Sequence, residues 1–135
     1  MIPLLFLFLA AVPGFNHWSL KDLQSYSAKF APEMKTKTAY GTDLARYGNH
    51  WSSITRRTAD GQAEVHEAND DIFICITGEA TLLYGGSVRN PKSTGPGETL
   101  GEAVVGGQSV VMRPGDIVHI RSEERRVGKE CRSRW

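Results

Sequence analysis

Apolar positions along this chain keep three different periods. Met1 to Val12 is an unbroken run without a charge or a polar side chain. Between Ser19 and Phe30 the spacing is helical: Leu20, Leu23, Ser27 and Phe30 recur every three or four positions, Trp18 stands just outside, and Pro32 ends the pattern. Ser19-Leu20-Lys21-Asp22 opens it like a capping box, with Ser19 able to accept from an N3 amide and Asp22 favourable in the first turn. The expectation is a short amphipathic helix from Leu20 to Phe30, laid against the main body. Leu44, Ala45 and Tyr47 form a weaker segment before Gly48. From Asn49 the period drops to two. His50 to Thr58 reads as a strand, Asp60-Gly61 as a hairpin turn, and Ala63 to Glu67 as the returning strand. Asp71 to Thr77 is a buried strand closed by Gly78-Glu79, Ala80 to Tyr84 follows, and Gly85-Gly86 turns the chain. Residues 89–108 are rich in Gly, Pro, Ser and Thr and read as a long excursion. Ser109 to Met112, the turn Arg113-Pro114-Gly115 and Asp116 to Ile120 complete the pattern. Many short strands with turn signals between them point to a sandwich or a barrel.

Length and composition narrow this further. A chain of 135 residues, 40% hydrophobic and 23% charged, is one ordinary globular domain, too short for a two-domain Rossmann enzyme, a large barrel or a repeat array. The N-terminal run is shorter than the roughly 20 residues a transmembrane helix needs. It suits the apolar core of an export signal, with Ala11, Val12, Pro13 and Gly14 as the small and turn-forming residues where a peptidase cuts, although no Lys or Arg stands near Met1. Residues 1–14 are therefore expected to be a signal peptide, with a buried first strand or a misplaced start codon as the alternative. The mature protein is expected to be periplasmic or secreted, with no membrane association once the signal is removed.

After Ile120 the alternation stops. Arg121-Ser122-Glu123-Glu124 is what the adapter string agatcggaagagc of short-read sequencing encodes in frame, and the residues up to Trp135 look like more of the same. On that reading 121–135 is a non-native, adapter-derived tail and the chain is a metagenomic gene fragment that lacks its own C-terminus. The tail carries six basic and three acidic residues, so the formal charge of +1 becomes −2 over residues 1–120, with 10 basic and 12 acidic side chains. Neither figure is the basic excess of a nucleic-acid binder, and no nucleic-acid partner is expected. Cys131 falls in the tail, which leaves Cys75 alone in an apolar run, as a small core residue with no activating base beside it in sequence.

Between Asn49 and Ile120 the order of segments resembles the cupin superfamily. The residues that carry the resemblance are His66-Glu67-Ala68-Asn69-Asp70-Asp71, then Ile72 to Ala80, then Pro114-Gly115-Asp116-Ile117-Val118-His119-Ile120. The family's first motif is His-x-His, a Glu, six residues and a Gly; Asp71 stands at the Glu position, with six residues between it and Gly78. If His66 is the first histidine, Ala68 occupies the second position. If the register is anchored on Gly78, Glu67 falls where a ligand points inward and His66 is displaced by one. Strand alternation makes these two registers exclusive, since neighbours face opposite sides of a sheet. In the second motif, Gly115 and the five residues Asp116 to Ile120 are in place, the following proline falls at position 121, and the last histidine falls near Arg126, inside the tail.

The resemblance implies an all-β, cupin-like jelly-roll (double-stranded β-helix) barrel over 49–120, incomplete at its C-terminus, behind a helical extension over 15–48. It implies a divalent metal (Fe, Mn, Ni or Zn) in the full-length parent, held by His66, Asp71 or Glu67 and a histidine from the missing segment, and no tight metal site in the fragment. In the competing structural role His66 is a hydrogen-bonded strand-end histidine and Asp71 a turn residue. His50, Trp51, Arg56 (with Arg57), Tyr84 and His119 are the candidate ligand contacts. The expected function is exported small-molecule binding, the partner being a small polar molecule such as a sugar, in a degenerate metal pocket. The alternatives are a metal-dependent oxygenase, isomerase or epimerase in the parent, with no catalytic residue assigned, and a structural or homodimerising module.

Overall fold

A computed structural model of the chain describes residues 14–124 and the backbone of 126–132. The apolar leader expected over 1–14 thus lies, except for Gly14, outside the described residues, as do Arg125 and residues 133–135 of the tail.

The helix forms where its cap directs it. α1 (Leu20–Lys29) begins at Ser19, whose hydroxyl accepts from the Asp22 amide at 3.1 Å while the Asp22 carboxylate accepts from the Ser19 amide at 2.9 Å, closing the capping box. The Ser19 side chain hydrogen-bonded to it holds the Asp22 carboxyl below the usual carboxylate range. No residue of α1 is itself buried. The helix docks through its C-cap, Phe30, which is buried and meets Tyr40 edge-to-face at 5.1 Å, and through Arg56, whose guanidinium donates to the Ser27 carbonyl at 2.8 Å.

Tyr40 and Arg56 belong to β1 (Ala39–Arg46) and β2 (Trp51–Arg57), an antiparallel two-stranded hairpin. The weak segment around Leu44 is therefore a full strand, and it takes the partner that Asp60-Gly61 was expected to supply. β3 (Ala63–His66) does not pair with β2, and Gly61 lacks the positive φ that a type I′ turn demands. Turn-forming chemistry was present, but both edges of β3 are taken, by β12 and β8.

The remaining strands are β4 (Asp71–Ile74), β5 (Glu79–Tyr84), β6 (Ser87–Arg89), β7 (Lys92–Gly95), β8 (Glu98–Gly101), β9 (Ala103–Val105), β10 (Gln108–Met112), β11 (Ile117–Ile120) and β12 (Arg126–Arg132). They pair as nested antiparallel couples: β7 with β8 about the turn Pro96-Gly97, then β6 with β9, β5 with β10, β4 with β11, and β3 with β12. The register is common to the inner couples. Met112 faces Ala80, Gln108 faces Tyr84, Val105 faces Ser87 and Leu100 faces Lys92, each step forward on one strand matched by a step back on the other. Residues 80–112 are thus one long two-stranded ribbon, and the supposed excursion over 89–108 is its far end.

Two double glycines bend the ribbon. Gly85-Gly86 lies opposite Gly106-Gly107, and all four have positive φ, between 66° and 82°. A Cβ on Gly86 would stand 2.3 Å from the Val105 carbonyl oxygen, and one on Gly107 would stand 2.4 Å from that of Tyr84. The two backbones cross where no side chain fits.

The ribbon also pairs with itself. β3 takes β8 as a neighbour, His66 facing Glu98, and β5 takes β12, which gives a six-stranded sheet in the order β10-β5-β12-β3-β8-β7. β4–β11 and β6–β9 remain two-stranded, and no closed barrel forms among the described residues. The backbone of the tail over 126–132 is extended and lies between β5 and β3, paired with β5 from Arg126 to Arg132 and with β3 at Arg126. The core consists of two small clusters. Ala63 and Val104 pack with Leu83 and Val88, and Leu82, Met112 and Ile120 pack with Cys75 and Val118. Leu82 and Leu83 are consecutive on β5 and so face opposite sides of the sheet, which places one cluster on each. Cys75 is thereby a core neighbour, as its apolar surroundings suggested.

Candidate functional site

Three acidic side chains and two histidines gather where β3, β4, β8 and β11 end. His66 is the last residue of β3, directly opposite Glu98, the first residue of β8. Its Nδ1 lies in ion-pair contact with Glu98 Oε2, and its Nε2 stands 3.8 Å from Asp71 Oδ2 at the start of β4. The ring is about one-fifth exposed and has a carboxylate at each nitrogen. The contact with Glu98 lacks hydrogen-bond geometry, so Nδ1 is a buried polar atom without a hydrogen-bond partner.

A second pair sits alongside. Asp70 accepts from His119 Nε2 at 2.9 Å and from the Ser122 backbone N–H at 2.7 Å, while the Glu123 N–H reaches the His66 carbonyl. The Ser122 amide, and after it His119, hold the Asp70 carboxyl below its ordinary value. Asp70 thereby ties the start of β4 to the chain leaving β11. The turn before β11 is closed by the Arg113 N–H on the Asp116 carboxylate at 2.8 Å and by Gly115 at φ 95°.

Of the metal-site candidates, His66 and Asp71 are brought together. Glu67 is exposed beyond the strand end, its N–H bonded to the Gly97 carbonyl at 2.9 Å. Among the described residues no group of three His, Cys, Asp or Glu side chains is placed to hold a metal ion. The residue missed in sequence is Glu98. The Pro96-Gly97 turn sets Glu98 only against Gly95, and its place opposite His66 comes from the β3–β8 ladder, for which the sequence holds no local signal.

The ligand-contact candidates are dispersed. His50 and Trp51 lie at the β1–β2 tip, His50 stacked on Tyr47 at 4.6 Å and Trp51 beneath Arg46. Arg56 is committed to Ser27 of the helix. Tyr84 donates to Gln108 across β5 and β10 at 2.9 Å. His119 joins the carboxylate cluster. A cavity of about 180 Å³ lies elsewhere, between Gln62, Asn90, Lys92, Thr94, Leu100, Gly101 and Glu102, and none of the sequence candidates lines it. No helix among the described residues is long and apolar enough to cross a membrane.

Comparison with protein-family models, curated proteins and solved structures finds no match.

Proposed function

We propose that the chain is an exported, cupin-like jelly-roll module that binds a small polar molecule at the ribbon end marked by His66. The nested pairing supports the fold: β7·β8, β6·β9, β5·β10 and β4·β11 follow one another along a double-stranded antiparallel ribbon, the unit that coils into a jelly roll. The observation that carries the site is the His66 ring, set between the Asp71 and Glu98 carboxylates at the strand end and about one-fifth exposed. A polar ligand would find an imidazole and carboxylates able to donate and accept at one strand end.

The metal that the family resemblance implies does not fit these residues. Glu98 and Asp71 address different nitrogens of one imidazole, so His66 can share an ion with only one of them, and no third donor stands with them among the described residues. No catalytic step is assigned through a metal.

The test is amide NMR and thermal melting of the full chain with glucose, citrate and, separately, Fe²⁺, Mn²⁺, Ni²⁺ and Zn²⁺. A polar probe at 100 times its Kd stabilises by about 2.7 kcal/mol and should shift amides of β3, β4 and the Glu98 end of β8, an effect lost in His66→Ala. Stoichiometric metal with a comparable rise in Tm would favour the metal-dependent enzyme instead. Perturbation nowhere near His66 by any probe would end the proposal.

One further observation favours the dimerising alternative. Ile117 faces Ile74 across β4–β11 with Ile72 two residues along on the same side, and these are 64%, 54% and 65% exposed. Concentration-dependent sedimentation that Ile74→Lys abolishes would support it, and a monomer at every concentration would exclude it.

A further inference from the structure

The cavity at the second bend of the ribbon has an arrangement of charge that the His66 site does not explain. Its floor is Leu100 and Gly101 of β8. Gly101 is required there, because a Cβ would stand 2.1 Å from Val88 Cγ1 and 2.7 Å from the Arg89 carbonyl oxygen of the strand folding over it. Lys92 faces Leu100 on the edge strand β7, and Thr94, where the ladder shifts register, lines the cavity with it.

Glu102 follows β8 at the bend, its N–H bonded to the Arg89 carbonyl at 3.0 Å. Continuing the two neighbouring ladders by one or two residues places Gln62 on one side of Glu102 and Asn90 on the other. Asn90 holds φ 50°, a left-handed conformation that asparagine tolerates, and this keeps it at the bend. Lys92 and Glu102 line the same cavity without forming an ion pair. No side-chain hydrogen bond ties Gln62, Asn90, Lys92, Thr94 or Glu102 to another described residue.

We infer that this cleft binds a small zwitterion of the free α-amino-acid class, its carboxylate on Lys92 and its ammonium on Glu102. The two carboxamides beside Glu102 and the Thr94 hydroxyl can each donate or accept, which suits the ligand's remaining polar edge. The volume, about 180 Å³, equals the liquid-state share of about six water molecules and is well below the roughly 300 Å³ at which drug-sized pockets begin. That volume is of the size of glycine or alanine. An uncharged polyol would leave both charges without a counter-charge, and a simple anion or amine would use only one of them. This inference rests on the cleft alone and does not need the His66 reading.

The test is NMR titration and calorimetry of the full chain with glycine and L-alanine, alongside acetate, methylamine, glucose and L-tryptophan. Saturable binding of glycine and alanine is expected, with amide shifts at 62, 90–94 and 100–102 and none at His66. Lys92→Met and Glu102→Gln should each weaken it at least about tenfold, and Lys92→Arg should recover most of the loss, as charge-assisted bonds would require. Both sites of change are exposed, and an unchanged amide spectrum elsewhere verifies that the variants fold. Absence of glycine and alanine binding, equal affinity for glucose or acetate, or indifference to both charge substitutions would each overturn the inference.

Discussion

Gly107→Ala tests the bend that lets the ribbon coil. Gly107 has φ 82°, and an added Cβ would lie 2.4 Å from the Tyr84 carbonyl oxygen and 3.0 Å from the Gly85 carbonyl carbon. Both neighbours are backbone, so the clash can be relieved only by moving the strands apart by about 1 Å, which disturbs the ladder where Gln108 meets Tyr84. The left-handed conformation costs an L-residue about 1–2 kcal/mol, and a weakened ladder bond adds about 1 kcal/mol, for a total near 2–3 kcal/mol. In a domain of this size that lowers Tm by roughly 6–12 °C. Gly106→Ala is the control: φ is 72°, but nothing lies within 4 Å of the added Cβ, so only the conformational cost of about 1–2 kcal/mol applies. Calorimetric or circular-dichroism melts of the two variants should therefore differ, Gly107→Ala being the weaker by several degrees. Equal losses would mean that the strands do not approach at that point.

Arg56→Met removes the donor to the Ser27 carbonyl and should cost about 1–2 kcal/mol, concentrated as faster amide exchange in α1 while β3 to β11 keep their protection. Asp70 should contribute stability that depends on acid. Its folded pKa lies below the ordinary 3.8, so the contribution is complete above that value and falls away as pH drops through the folded one. Acid titrations followed by near-UV circular dichroism should show that difference between the native chain and Asp70→Asn, converging at the lowest pH; a constant gap down to that pH would contradict the assignment.

Local chemistry explains what could be read from sequence. The helix was legible because a capping box, three-to-four spacing and Pro32 act within one segment. β5, β10 and β11 were legible because period-two alternation and the Arg113-Pro114-Gly115 turn are local as well. β1 was half hidden, its apolar residues too sparse to show a strand. Asp60-Gly61 has the composition of a hairpin turn, but whether two strands pair depends on which edges are already taken, and β3 lies between β12 and β8. The strands β6 to β9 escaped because they are only three or four residues long and rich in Gly, Ser and Thr; their pairing comes from register with the opposite strand. The same holds for the site. His66 and Asp71 are five positions apart and could be named together, whereas Glu98 reaches His66 only through the sheet, 32 residues later in the chain.

Interstrand nuclear Overhauser effects in the full chain test the central claim most directly, because the His66 cluster and the zwitterion cleft both exist only if the ribbon coils so that β3 lies against β8. The account predicts contacts between Val65 and Thr99 together with contacts between Ser87 and Val105 in one spectrum. Contacts joining β2 to β3 across Asp60-Gly61, with none between Val65 and Thr99, would contradict it.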